Sequence, residues 1–250
     1  MKKLWYLALA LYFCTHIVPN YVFAYQPARS QEEKNVEVGT KKQEGKTDYF
    51  HYQLTIPTFD HIQNKGFEKK LNAYYETNIL SFKKKLEAEA KKYYDAAEQT
   101  PTALHPYVAH VDYKITLRKA PLLSLYISYY QYTGGAHGMY EWKANTFDID
   151  KKKELSLTDL FQQDSKFIDI IKQEIKRQID QDSGKFFPDA AALVAKATTF
   201  KFFLEPEHII LYYPLYEIAP YASGIPTFRI PYTLLQNDLK SNYRKILIDK

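Results

Sequence analysis

Six histidines lie beyond residue 24: His51, His61, His105, His110, His137 and His208. They are the first place to look for metal or acid–base chemistry. No pair shows His-x-x-x-His or His-Glu-x-x-His spacing, which is what puts two ligands on one helix face. His105 and His110 are five apart, on opposite faces if both lie in one strand, so structural or exposed histidine is the reading for the set, with no metal expected. His137 stands apart because of its neighbours, Thr133-Gly134-Gly135-Ala136-His137-Gly138-Met139-Tyr140-Glu141-Trp142. Three of the chain's eight glycines fall there within five positions, and glycine reaches positive φ without steric cost. A loop whose shape is required can support a sheet or hold a ligand, and the residues leave both open. Covalent catalysis has no candidate: there is no Gly-x-Ser-x-Gly elbow, Ser223-Gly224 lacks the flanking glycine, and no cysteine follows Cys14. Phosphate-cradling glycine patterns are absent too. Glycoside hydrolysis needs two carboxylates whose separation is spatial; Glu141 and Asp148 flank the loop, but nothing marks them as catalytic. No cofactor is implied.

The elements that must position this loop follow from the wider pattern. The chain has 250 residues, 46% apolar and 25% charged, a globular balance that excludes disorder and a multi-span membrane protein. Its 23 tyrosines suit half-exposed sheets and polar-ligand surfaces, because the ring adds apolar area while the hydroxyl tolerates water. Lys2 and Lys3 precede an apolar run from Leu4 to Val18, and Pro19-Asn20 leads to Val22-Phe23-Ala24. That order is expected of a secretory signal over residues 1–24, with cleavage after Ala24. A retained anchor is the alternative, but Thr15, His16, Pro19 and Asn20 interrupt the run short of the roughly 20 apolar residues of a span, so no stable membrane span is expected after cleavage. Leu11-Tyr12-Phe13-Cys14 lacks the small residue of a lipoprotein signal. The chain is thus expected to be exported, periplasmic or secreted, without disulfides, and loss of Lys2 and Lys3 takes its net charge from +5 to +3. Lysines interleaved with glutamates give no basic footprint for nucleic acid.

Residues 25–35 lack periodicity and read as a flexible leader. Val36, Val38, Phe50, Tyr52, Leu54 and Ile56 alternate about a Glu44-Gly45 turn, describing a hairpin. Leu71, Tyr75, Ile79, Phe82 and Leu86 then share one face of a long helix, with Lys83, Lys84, Lys85, Lys91 and Lys92 mostly on its solvated side, and Thr100-Pro101 to His105-Pro106 ends it. Val108 to Arg118 and Leu122 to Tyr132 read as an antiparallel pair about Lys119-Ala120-Pro121, and Tyr140 to Ile149 continues the sheet beyond the glycine loop. A second helical region opens with Thr158 as a possible N-cap and carries the stripe Phe167, Ile168, Ile171, Ile175 and Ile179. An Ala-rich helix over 189–196, a hairpin from Phe200 to Tyr213 and an amphipathic piece from Tyr232 to Ile246 close the chain. The order ββ, α, βββ, α, ββ, α specifies an α+β fold with antiparallel sheets, a long helix in the N-terminal half and further helices in the C-terminal half. The expected division is 36–138 and 139–250, packed as one unit with its seam near residue 138.

Two resemblances enter on these residues. Thr146-Phe147-Asp148-Ile149-Asp150 is similar to the Thr-Phe-Asp-Asp-Gly metal motif of polysaccharide deacetylases, but Ile149 takes the second Asp position, no glycine follows and the His-x-x-x-His ligands are missing. A strand end entering a turn is the plainer reading. Leu54-Thr55-Ile56-Pro57, Tyr132 to Gly138, Thr146-Phe147-Asp148, Leu155 to Phe161, Tyr216 to Gly224 and Ile230-Pro231, in that order, resemble the extracytoplasmic domain of RsiV-type anti-sigma factors and the non-catalytic N-terminal region of PdaC-type peptidoglycan deacetylases, over roughly residues 36–240. The resemblance implies an exported envelope module that is not itself an enzyme. In the anti-sigma factors the module senses lysozyme, so the expected partners are peptidoglycan or another envelope glycan, or a lysozyme-like protein. Nothing ahead of the apolar segment is expected to hold a sigma factor and no deacetylase domain is expected after residue 250, so neither activity is carried over. The ligand-binding candidates are Gly134, Gly135, His137, Gly138, Tyr140 and Trp142 from the glycine segment, with Tyr216 and Tyr221 from the other aromatic loop. An enzyme acting on peptidoglycan and a structural envelope component are the alternatives.

Overall fold

The computed structural model describes residues 36–97 and 105–249. The signal over 1–24, the leader over 25–35 and the Thr100-Pro101 helix end lie outside the described residues. Among those described, no helix is long and apolar enough to cross a membrane.

The architecture is α+β. A six-stranded sheet has the order β1 (Glu37–Lys46), β2 (Phe50–Asp60), β3 (Tyr107–Lys119), β4 (Leu122–Tyr132), β5 (Met139–Asp148) and β6 (Lys153–Glu154). The helix α1 (Lys65–Ala97) buries Leu71, Tyr75, Ile79, Leu86 and Ala90. These meet Leu54, Ile56, Val111, Leu123, Leu125, Ile127 and Phe147 on one face of the sheet, or Phe50 and Ala109 at its far end. The Asn64 side chain accepts the Phe67 N–H at 2.8 Å, capping the first turn. Asn72 then holds the helix to β2, accepting the Phe59 N–H at 2.7 Å and donating to the Phe59 carbonyl at 2.9 Å. Strand pairing is antiparallel except for β2 with β3, which is parallel. A parallel pair needs a long crossover, and α1 supplies it.

Several local details correct the sequence pattern. The first hairpin turns at Thr47, not at Glu44-Gly45: Thr47 N–H donates to Phe50 O at 2.8 Å and Phe50 N–H to Thr47 Oγ1 at 3.0 Å, which leaves Glu44 and Gly45 in the ladder opposite Gln53 and Tyr52. Thr158 caps no helix. The turn Leu157–Leu160 follows Ser156, whose N–H and hydroxyl both donate to Asp159 at 2.8 Å, and α2 (Phe167–Gln181) starts later.

The second sheet contains β7 (Lys201–Leu204), β8 (His208–Tyr212) and β9 (Thr227–Pro231), all antiparallel; β9 was not visible as a strand in the sequence. Ile171, Ile175 and Ile179 of α2 join Ala190 and Val194 of α3 (Ala190–Lys196) and Tyr243 and Leu247 of α4 (Ser241–Leu247) in one apolar core with Leu204, Ile209, Leu211, Phe228 and Ile230. The amphipathic piece from Tyr232 to Ile246 is not one continuous helix. After a short turn at Tyr232–Leu235, the chain extends to bridge Phe161 with Leu239, through Gln162 N–H to Asp238 O at 2.8 Å and Lys240 N–H to Leu160 O at 2.9 Å.

The two sheets pack through Leu117, Leu122, Tyr126 and Trp142 against Leu204, Phe203 and Tyr212, and polar contacts tie the first sheet to the second part of the chain. Buried Ser124 of β4 bonds Thr146 of β5 at 2.8 Å and accepts the Leu204 N–H of β7 at 2.9 Å. Asp148 is only 2% exposed; it accepts from the Tyr243 hydroxyl and the Lys151 N–H and meets the Lys151 ammonium, each at 3.0 Å. β5 begins just past residue 138 and pairs with β4 from Met139 to Asp148, so the first sheet runs straight through the seam.

Candidate functional site

The glycine loop is shaped by two different constraints. Gly134 and Gly135 have φ of 94° and 93°, in the region that side-chain-bearing residues avoid, and the Tyr132 hydroxyl closes back on the Gly135 carbonyl at 3.0 Å. Gly138 is buried, and a Cβ there would lie 2.4 Å from the Tyr130 ring, so the backbone passes that ring only because the position is glycine. The Gly138 carbonyl accepts the Tyr221 hydroxyl at 2.8 Å and sits 3.0 Å from His137 Nδ1. A carbonyl oxygen only accepts, so Nδ1 carries the hydrogen.

Five of the eight expected residues gather around that carbonyl. The His137 ring stacks on Tyr221 with centroids 4.0 Å apart and planes 20° apart. Tyr140 approaches Tyr221 edge-on at 6.0 Å, and Tyr216 lies 5.9 Å from the same ring. Tyr216 has a φ of 66° and is 48% exposed; His137 is exposed as well. Lost hydration and the neighbouring Tyr140, Tyr130 and Tyr216 hold the Tyr221 hydroxyl above its ordinary pKa, so it remains a donor at neutral pH. Gly134 and Gly135 form the open tip, with nothing within 4 Å of where a side chain would start. The group is an exposed patch of rings and polar tips. The Gly138 carbonyl fixes the Nδ1 side of His137, and the patch as a whole offers ring faces and hydrogen-bonding tips.

Trp142 belongs elsewhere. It stacks on Tyr126 at 4.4 Å, meets Phe203 edge-on and lies tilted against Tyr212. Beside it opens a cleft of about 440 Å³, walled by residues 141–146 of β5, by 154–158, by the start of α2 and by 198–202. Tyr212 stands between these walls: its hydroxyl accepts the Ala144 N–H at 3.1 Å and donates to the Trp142 carbonyl at 3.2 Å. Burial, eased by the Ala144 bond and reinforced by Glu141, pushes that hydroxyl up to about 12. The sequence did not single out Ser156, Thr198, Thr199 or Glu154 of this cleft. The only signal they carry is a polar, β-branched run beside aromatics at Thr198-Thr199-Phe200. Asp148, from the deacetylase-like segment, is spent on Tyr243 and Lys151. Among the described residues no three His, Cys, Asp or Glu side chains cluster as a metal site.

These features define an α+β module with a first part of one kind and a second of another. Residues 43–140 match the family model described as deacetylase PdaC, and residues 158–233 match that of a protein of unknown function, DUF3298; the ring patch takes one loop from each. The chain is 27% identical over 213 residues to the peptidoglycan-N-acetylmuramic acid deacetylase PdaC of Bacillus subtilis (strain 168), a match covering 84% of this chain and 43% of that protein. It therefore spans less than half the length of that relative, resembling its N-terminal region. Two solved structures share the fold. A DUF3298 member from Bacteroides fragilis has a TM-score of 0.71 at 19% identity, over 88% of this chain and 100% of the other. One from Pseudomonas aeruginosa PAO1 has a TM-score of 0.57 at 20% identity, over 83% and 95%.

Proposed function

We propose that this chain is an exported, non-enzymatic binding module of the bacterial cell envelope whose ligand is the glycan of peptidoglycan. The observation that carries the reading is the exposed cluster of His137, Tyr140, Tyr216 and Tyr221, fixed over the Gly138 carbonyl at the junction of two loops. Rings with hydroxyl tips suit sugar surfaces, where apolar C–H faces alternate with hydroxyls. Export is supported by the charged, apolar and small-residue order of residues 1–24. The envelope is supported by similarity to a protein named for peptidoglycan N-acetylmuramic acid. A binding role is favoured because the His137 ring is stacked on Tyr221 within a group of exposed aromatic rings, a surface suited to contact.

Co-sedimentation of the purified chain with peptidoglycan sacculi tests this. Retention is expected, and His137→Ala with Tyr221→Ala should weaken it at least about tenfold, the loss expected when aromatic anchors are truncated. Release of acetate or reducing sugar by the wild type, abolished in His137→Ala, would replace the binding reading with an enzymatic one. A soluble complex with lysozyme, without retention on sacculi, would move the same surface to a protein partner.

A further inference from the structure

We infer that the cleft beside Trp142 is a separate binding site for a short, neutral oligosaccharide of N-acetylated hexoses. The choice of sugar rests on the envelope reading above; the site itself is argued from its walls. At about 440 Å³ the cleft falls in the size range of small-molecule sites, roughly 300–1,000 Å³. Its charges balance, with Glu141 and Glu154 against Lys143 and Lys201, and Glu141 and Lys143 already pair at 3.6 Å. An anion or cation therefore gains little, and a neutral ligand loses nothing.

The remaining walls alternate apolar surface with neutral hydrogen-bonding groups. Trp142 has one side covered by Tyr126, an edge contact to Phe203 and a tilted contact to Tyr212, so its ring is held firmly while part of it lines the opening. Leu155, Leu157 and Phe167 supply further apolar wall, suited to sugar C–H faces and acetamide methyls; Thr198 and Thr199 line the same cleft, while the Ser156 hydroxyl is taken by Asp159. Glu154 is aimed by Asn145, whose amide donates to it at 2.6 Å and is itself fixed by the Tyr75 hydroxyl at 3.0 Å. The second carboxylate oxygen has no hydrogen bond among the described residues, and a carboxylate held in this way accepts strongly from sugar hydroxyls.

A peptide strand is the natural rival, because β5 and β7 both end their sheets at this cleft apart from the short β6 pairing. The β5 edge is, however, already consumed where the cleft needs it. The Tyr212 hydroxyl takes the Trp142 carbonyl and Ala144 N–H, and the Leu155 N–H takes the Thr146 carbonyl at 2.7 Å. Strand addition requires a continuous run of free backbone groups. A sugar needs only side-chain partners and ring faces.

Trp142 and Trp5 are the chain's two tryptophans, so in a Trp5→Phe chain the indole emission reports this cleft alone. Titration with triacetylchitotriose should give a saturable emission change, with a weaker response to cellotriose, which lacks the acetamides. Glu154→Gln, which still accepts from Asn145, should weaken binding about tenfold, as expected for loss of a charged hydrogen bond, and Thr199→Val by less, with both variants retaining the wild-type circular dichroism. Flat emission together with no calorimetric heat would overturn the site. So would unchanged binding in both variants, or an extended peptide shifting the emission where the trisaccharide does not. The surface reading fails separately: sacculi retained by the ring patch with Trp142 silent remove the cleft, whereas trisaccharide binding without sacculi retention removes the patch.

Discussion

The two faces of the first sheet are built differently, although β4 contributes alternate residues to both. Leu123, Leu125, Ile127 and Tyr129 point to α1 and join a dry cluster with Leu71, Tyr75 and Ile79. Leu122, Ser124 and Tyr126 face the second sheet, where Ser124 makes two hydrogen bonds and Tyr126 stacks on Trp142. The helix face is held by apolar area, which is non-directional. The other face also buries Leu117 and Leu122 in the core of the second sheet but adds directional junctions at Ser124 and Tyr126, and the cleft opens beside Trp142 there. The contrast teaches that both faces are packed, and that the accessible chemistry gathers on the face where apolar packing is mixed with polar and aromatic junctions.

The contrast breaks most severely at the helix face. Ile79→Ala, at a fully buried position, should cost about 2–5 kcal/mol, read as a lower urea midpoint, while leaving Trp142 emission in the folded state unchanged. Gly138→Ala should cost about 1–3 kcal/mol, since its Cβ collides with Tyr130; unlike Ile79→Ala, it should also reduce retention on sacculi. Tyr243→Phe removes one of the donors to buried Asp148 and should cost about 1–2 kcal/mol, with hydrogen exchange rising first in α4.

The smallest effect concerns acid. Burial raises the Asp159 carboxyl, but hydrogen bonds from Lys153 and Ser156 outweigh it and hold the group at about 2, against an ordinary 3.8. Because the folded value lies below the unfolded one, its contribution is fully present above about pH 4 and is lost as pH falls towards 2. Asp159→Asn should flatten the urea midpoint's dependence on pH across that window and change nothing in trisaccharide binding.

Much of the scaffold was legible because its signals are local. The α1 stripe repeats at helical spacing over 33 residues, and the alternation in β3 and β4 is set by the two-residue period of a strand. β9 was not, being five residues ended by Pro231 with two exposed positions, too short for a period to declare itself. The glycines announced a shaped loop, and Tyr216 and Tyr221 came from the segment Tyr216 to Gly224 that carries the family resemblance; the structure places these two tyrosines beside His137 and Tyr140. Trp142 was grouped with them by proximity in sequence, yet two residues along a strand from Tyr140 its ring meets Tyr126, Phe203 and Tyr212 instead.

By itself, the sequence determined the α+β order, the long amphipathic helix, the hairpin of β3 and β4 and the need for glycine near residue 134, since each follows from periodicity or backbone sterics within a few residues. Only the tertiary structure decided that β2 and β3 run parallel, that Asp148 locks a tyrosine 95 residues away, and that Ser156, Glu154 and Thr199 share a cleft with Trp142. Those outcomes depend on which distant surfaces meet when apolar area is buried, and no local period encodes the meeting.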